Sequence, residues 1–223
     1  MTPAIAAACV LLFAAPAAAQ QIKPDEQNQP VSGFVFDARG VFARHKDEPD
    51  VARQLNVDVA NMPSRSWGFA AGAQAFPLHK GKVAFGFGGH MLIAGGSNTL
   101  EPTLDANGNP VDPNQLLPTV QRHMRVYTSD VSFNFGHRNG WSYISGGIGT
   151  ASLYVDREDA PATGVPMRQT FHYGGGARWF TGHHTAVNLD FRWYSVAEMQ
   201  PGLTYAGQPR TTLLVLSGGM SFR

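Results

Sequence analysis

The chain has 223 residues, with 17 basic against 16 acidic side chains and a formal net charge of +1, a balance that offers no electrostatic case for nucleic-acid binding. Its single cysteine, Cys9, lies in the N-terminal segment, so the rest of the chain carries no thiol, no disulfide and no cysteine-based metal site. Twenty-five glycines, 11% aromatic residues and no long apolar run beyond that segment exclude a helical membrane protein, and any membrane entry must be as a closed sheet.

Residues 1–19 read as a signal peptide. The stretch from Ile5 to Ala15 is apolar but short of the roughly 20 residues that a spanning helix needs, and Ala17-Ala18-Ala19 before Gln20 has the small-residue form of a cleavage site. The leader carries no Lys or Arg, and Ala6-Ala7-Ala8 before Cys9 lacks the Leu of a lipoprotein box. Residues 20–30 are expected to form a flexible N-terminal lead and 31–223 a single barrel domain.

Eight candidate strands follow, at about 31–43, 66–77, 82–94, 123–135, 141–155, 168–180, 184–196 and 210–222, each long enough for the roughly 9 to 11 residues of a tilted transmembrane strand. Their connections alternate. Those after strands two, four and six are tight (His79-Lys80-Gly81, His137-Arg138-Asn139-Gly140, Thr181-Gly182-His183), whereas those after one, three, five and seven are long, polar and rich in proline. This pattern predicts an all-β fold, an eight-stranded antiparallel up-and-down transmembrane β-barrel with short periplasmic turns, long extracellular loops and both termini on the periplasmic side.

Residue parity separates two faces. In 187–194 the odd positions are Val187, Leu189, Phe191 and Trp193, and the even ones Asn188, Asp190, Arg192 and Tyr194. The apolar parity elsewhere (Phe34, Phe36, Phe42, Trp67, Phe69, Phe85, Phe87, Phe133, Phe171, Trp179 and their kin) is predicted to face lipid. Aromatics near strand ends, namely Trp141 with Tyr143, Trp179 with Phe180 and Trp193 with Tyr194, suit interfacial girdles. The polar parity, Asp37, Arg39, Gln74, His90, Asp130, Ser132, Asn134, His172, Arg178, Asn188, Asp190 and Arg192, is predicted to pair and fill a narrow interior. The fifth strand breaks the rule, with Ile144 and Ile148 on one parity and Tyr143 and Leu153 on the other, and a bulge or a different register is expected there. The turn at Thr181-Gly182 suggests a register in which Gly174 faces Asp190 and Gly176 faces Asn188, the glycines leaving room for larger neighbours.

Tyr173-Gly174-Gly175-Gly176-Ala177-Arg178-Trp179-Phe180, a short turn, and Leu189-Asp190-Phe191-Arg192-Trp193-Tyr194 resemble the penultimate hairpin of small outer-membrane proteins of the OmpA/OmpX-type β-barrel domain family. Ser145-Gly146-Gly147-Ile148-Gly149 is similar to their fifth-strand pattern, and the resemblance runs over about 66–223. It implies outer-membrane lipid and lipopolysaccharide as surroundings. It also implies a terminal strand read by the barrel-assembly machinery, here the series Leu214, Leu216, Met220 and Phe222, although Arg223 follows the aromatic residue with which such families usually end.

Other chemistry is weakly supported by the residues. The loop 104–112 begins like a calcium loop, but Pro110 occupies the position that needs Gly, and a hairpin turn on Asn107-Gly108 reads better. His183 and His184, adjacent, point apart on a strand. His45, Asp47, Glu48 and Asp50 with Arg44, Lys46 and Arg53 read as a solvated mixed-charge loop. His90, His123 and His172 lack a Ser or Thr two residues on, so no outward nucleophile pair is visible for a lipid A modifying enzyme. A secreted, lipocalin-like barrel would reverse the two faces. The expectation is therefore a non-enzymatic envelope protein with no cofactor and no metal, acting in structure or surface contact. The alternatives are a narrow channel for small or apolar solutes, as in OmpW-like barrels, and a lipid A modifying enzyme.

Overall fold

The computed structural model describes residues 33–46, 48–100, 117–137, 140–182 and 184–223. The signal segment and lead at 1–30, the turn on Asn107-Gly108, Asp47 and His183 lie outside the described residues. The strands are β1 (Phe34–Arg44), β2 (Arg65–Lys80), β3 (Val83–Thr99), β4 (Thr119–His137), β5 (Gly140–Arg157), β6 (Arg168–Phe180), β7 (Thr185–Val196) and β8 (Thr211–Phe222). Each pairs antiparallel with its sequence neighbour, and β8 returns to β1 from Phe36 opposite Phe222 to Arg44 opposite Leu214, so the sheet closes into an up-and-down barrel with no free edge. No described helix is long and apolar enough to cross a membrane.

Alternation of the side chains produces the two faces. Phe36, Phe69, Phe87, Val131, Ile148, Tyr173, Leu189 and Leu216 are among the large apolar residues left exposed on the outer wall, while the intervening positions are buried toward the axis. Strands β3, β4 and β5 run to 17, 19 and 18 residues, longer than the sequence periodicity suggests. Most of their extra residues lie at the end that carries the long loops. There Gly95-Gly96-Ser97-Asn98 and Gln121-Arg122-His123 lack an apolar outer parity, so pairing continues where the two-faced pattern stops.

Two expectations about strand pairing are corrected. β5 pairs with β4 and β6 without a register shift, Ile144 and Ile148 facing outward and Tyr143 and Leu153 inward. The irregularity sits instead in β2, between Ala75 and Leu78 against β3, where Pro77 has no N–H for the ladder. After it the facing changes, so Phe76 is buried and Leu78 exposed. In the β6–β7 hairpin Gly174 faces Arg192 and Gly176 faces Asp190, two residues from the expected register. The turn is longer than assumed, with Thr181 N and Gly182 N both donating to Thr185 O. The β2–β3 turn rests on Gly81, whose φ of +59° lies in the left-handed region that favours glycine.

The first long connection is no open charged loop. It holds a short helix, α1 (Pro49–Gln54), and a 3₁₀ turn (Val59–Asn61), with Val51, Ala52 and Met62 packed against Val120, Val155 and Ala206. His45 and Glu48 are buried rather than solvated.

Candidate functional site in the barrel interior

The eight inward rows stack side chains into tiers. At the end that carries the tight turns, Val35, Phe76, Ala84 and Trp141 form an apolar floor, with Phe180 packed against it and the Arg223 guanidinium 4.7 Å from the Phe180 ring centre. Trp141 is thus interior and not an interfacial anchor, because its parity in β5 is that of Tyr143 and Ser145.

Above the floor lies a polar tier. Arg178 Nη2 meets Asp37 Oδ2 at 2.9 Å and donates to Gln74 Oε1 at 3.2 Å, while Nη1 reaches Asn134 Oδ1 at 3.4 Å. Asp37 also accepts from Asn188 Nδ2 (3.2 Å) and Ser221 Oγ (2.5 Å). Gln74 Nε2 continues to Asp130 Oδ2 at 3.3 Å. Around Asp190 the contacts are Arg192 Nε (2.9 Å), Arg39 Nη1 (3.2 Å) and the Tyr143 hydroxyl, which donates at 2.6 Å. Arg192 Nη1 lies 3.4 Å from Asp130 and 2.8 Å from His90 Nδ1, and His90 Nε2 is 2.6 Å from the Tyr194 hydroxyl. All twelve polar residues singled out in the sequence lie in this tier, among the buried groups.

Glycines make the tier possible. A Cβ on Gly176 would fall 2.7 Å from the Tyr143 hydroxyl, and one on Gly147 would fall 2.7 Å from His172 Nε2, so both large rings occupy space that only a missing side chain leaves. Tyr143 and Tyr194, expected at the girdle, are buried network members. Parity was the available signal for Tyr194, which shares the even face of β7 with Asp190 and Arg192.

A second apolar tier follows toward the loop end, built on Val41, Leu92, Met124, Leu153, Tyr194 and Val215 among others. The tier beyond it is polar and was not anticipated in the sequence. Arg122 Nη1 pairs with Glu48 Oε2 at 3.1 Å and its Nε donates to Pro63 O at 2.9 Å. Arg168 Nη2 donates to Leu153 O (2.7 Å) and Gln208 Oε1 (2.8 Å). His45 Nε2 lies 2.9 Å from Ser66 Oγ, and burial together with the Arg122 charge pushes its imidazole down to about 3. The α1 cluster closes the mouth above, tied by Arg157 Nη1 to Leu55 O and by Gly207 N to Gln54 Oε1.

His90, Asp130 and His172 bring three ligand atoms within 4.8 Å of one another, and neither ring nitrogen of His172 has a hydrogen-bond partner among the described residues. Geometry alone would let them hold a metal ion. The charge environment opposes it. The polar tier balances Asp37, Asp130 and Asp190 against Arg39, Arg178 and Arg192, and Arg192 already sits on two of the three candidate ligands. A divalent cation would add two uncompensated charges to a buried, neutral set.

The series Leu214, Leu216, Met220 and Phe222 lies on the outer wall of β8. His123 Nε2 meets Asp156 Oδ1 at 3.2 Å with His123 stacked on Tyr154, and no described serine, threonine or cysteine side chain bonds to this pair.

No family model matches the sequence, and no curated protein matches it. Among solved structures the chain is similar to Neisserial surface protein A, at 10% identity and a TM-score of 0.48 over 87% of this chain and 99% of that one. It is also similar to the attachment invasion locus protein Ail of Yersinia pestis, at 11% identity and a TM-score of 0.43 over 86% and 98% of the two chains. A third is the outer membrane protease OmpT from Escherichia coli, at 6% and 0.43 over 85% and 96%.

Proposed function

We propose that the chain is an exported, non-enzymatic protein of the bacterial outer membrane, whose filled barrel serves as a rigid anchor for extracellular loops acting in envelope structure or surface contact. The observation that carries this reading is the combination of an apolar outer wall with an interior occupied at every level, from the Trp141 floor to the α1 cap. A wall of exposed Phe, Trp, Leu and Ile suits lipid and would be costly in water. An eight-stranded barrel has just enough interior for its own side chains, and among the described residues two apolar tiers lie on either side of the paired charges. That arrangement opposes the narrow-channel alternative. Outer-membrane lipid and lipopolysaccharide are the proposed surroundings, and the barrel-assembly machinery is the proposed reader of Leu214, Leu216, Met220 and Phe222.

The test has three parts. Outer-membrane fractions should contain a form whose gel mobility shifts on boiling, reconstituted protein should give no stable conductance steps in a planar bilayer, and lipid A masses should be the same with and without the gene. Stable conductance would restore the channel, and a changed lipid A mass would restore the enzyme.

A further inference from the structure

The outer wall carries one feature that a filled barrel does not explain. Arg44 at the end of β1 and Arg65 at the start of β2 are directly opposite partners in the β1–β2 ladder, and both are exposed on the lipid-facing parity. Like charges directly opposite on an antiparallel pair destabilise it. Among the described residues neither guanidinium has a carboxylate within 4.0 Å. The described acids of the first loop are engaged elsewhere: Glu48 with Arg122, Asp50 with Arg53, and Asp58 with the N–H of Ala60.

Immediately below the two arginines on the same face, Phe42 and Trp67 form an aromatic pair with ring centres 4.6 Å apart, and Trp67 remains 65% exposed. Leu216 on β8, directly opposite Phe42, and Phe69 on β2 extend that apolar surface sideways and downward, while Leu214 lies beside Arg44. On β3 the residue opposite Trp67 is Gly95, and Ser97 follows on the same parity, so small side chains leave the arginines open on that side. The patch is therefore cationic at the membrane rim and apolar beneath it, in one continuous strip.

From this juxtaposition we propose that Arg44 and Arg65 clamp a phosphate group of an outer-leaflet glycolipid, whose acyl chain lies along Phe42, Trp67 and Phe69. The proposal rests on the outer-membrane reading above and adds a defined lipid contact to it. A phosphate between two guanidiniums accepts paired N–H···O bonds from both forks and converts a repulsive cross-strand pair into a bridged one. The aromatic pair supplies the amphipathic surface that suits the headgroup boundary.

The experiment uses the full mature chain folded into phosphatidylcholine vesicles containing either bis-phosphorylated lipid A or the same lipid with its phosphates removed. Lipid retained on the extracted, folded barrel is quantified by mass spectrometry. Each basic side chain at a charged leaflet gives on the order of a fivefold gain, so the wild type should retain the phosphorylated lipid roughly thirtyfold over its dephosphorylated form. The Arg44→Gln/Arg65→Gln variant should lose that preference, whereas Arg125→Gln, another exposed outer-wall arginine, should keep it. Arg44→Glu provides the fold control, since it would pair with Arg65, hold the boiling-dependent gel shift and still abolish the preference. A preference that survives in the double glutamine variant overturns the clamp. So does a wild type that inserts and shifts on boiling yet retains both lipids equally, with the outer-membrane reading left standing. A wild type that inserts into neither vesicle overturns both.

Discussion

Arg178 is the most connected cation of the interior, and its removal gives the sharpest test of the paired-charge tier. In Arg178→Met the side chain stays long enough to fill its volume, but Asp37 keeps only Asn188 Nδ2 at 3.2 Å and Ser221 Oγ at 2.5 Å while losing its guanidinium at 2.9 Å. The tier falls from three charges of each sign to an uncompensated buried carboxylate, a class of change that costs about 3 to 5 kcal/mol. The lost donors to Gln74 and Asn134 and the cation stacked 4.6 Å from the Tyr143 ring centre belong to the same sum. If the cost arises from the unpaired charge, Asp37→Asn in the same chain should recover most of it, leaving about 1 to 2 kcal/mol for the lost hydrogen bonds. Urea unfolding in lipid vesicles, followed by tryptophan fluorescence and by the boiling-dependent gel shift, measures both variants under the same conditions. An Arg178→Met barrel within about 1 kcal/mol of wild type, or a double variant no more stable than the single one, would refute the claim that Asp37 and Arg178 are energetically one unit.

The corrected β6–β7 register predicts that Ala177→Cys with Leu189→Cys, which are direct partners, forms a disulfide on mild oxidation, whereas Gly175→Cys with Leu189→Cys does not. Gly176→Ala should destabilise the barrel by about 1 to 3 kcal/mol, since its Cβ would lie 2.3 Å from Leu189 O. Gly40→Ala, whose Cβ meets nothing closer than Gly218 O at 3.8 Å, should be tolerated in the same unfolding assay. His45 is held neutral in the fold, at about 3 against 6.5 when free, so the opened loop binds an extra proton between those values. Its contribution is present above about pH 6.5 and declines by up to about 1.4 kcal/mol per pH unit as the pH falls. Proteolysis of the first loop should therefore accelerate from pH 7 to pH 5, and His45→Gln should flatten that dependence. Dialysis against a chelator should leave the unfolding midpoint unchanged, and a drop that zinc reverses would assign a metal to His90, Asp130 and His172.

Strand number, pairing order and the outer wall were legible because a barrel in lipid repeats one rule, apolar outside, along every strand. The interior followed no such single rule. Asp37, Asp190, Arg178 and Arg192 could be placed inside because charged residues shared a parity opposite to aromatics. Val41, Leu92, Met124, Leu153 and Val215 share that inward parity and are apolar, so near the strand ends hydrophobicity no longer distinguishes the faces. Trp141, Tyr143 and Tyr194 were misplaced for this reason, and β5 suffered most because Gly146-Gly147 carries no facing signal in the middle of the strand. The irregularity found among the described strands was marked by Pro77, a residue whose missing N–H is a better indicator of a broken ladder than a change of apolar parity.

The upper polar tier was illegible for a different reason. Glu48 and Arg122 lie 74 positions apart in the chain, and in the sequence Glu48 sits among charges that read as solvated while Arg122 falls just ahead of the strand expected from about 123. What buries them is the fold of the first loop onto the barrel mouth, where Val51, Ala52 and Met62 meet Val120, Val155 and Ala206. Local patterning records the period of a strand or helix, but burial of a loop depends on which distant surface it reaches. The Glu48–Arg122 pair therefore predicts its own dependence on the cap. Replacing Val51 and Met62 with Ser should open the mouth, hydrate the pair and reduce the cost of Arg122→Met from the 3 to 5 kcal/mol typical of a buried pair to about 1 kcal/mol or less. Equal costs for Arg122→Met with and without the cap substitutions, measured by the same urea unfolding, would mean that the barrel wall alone buries the pair.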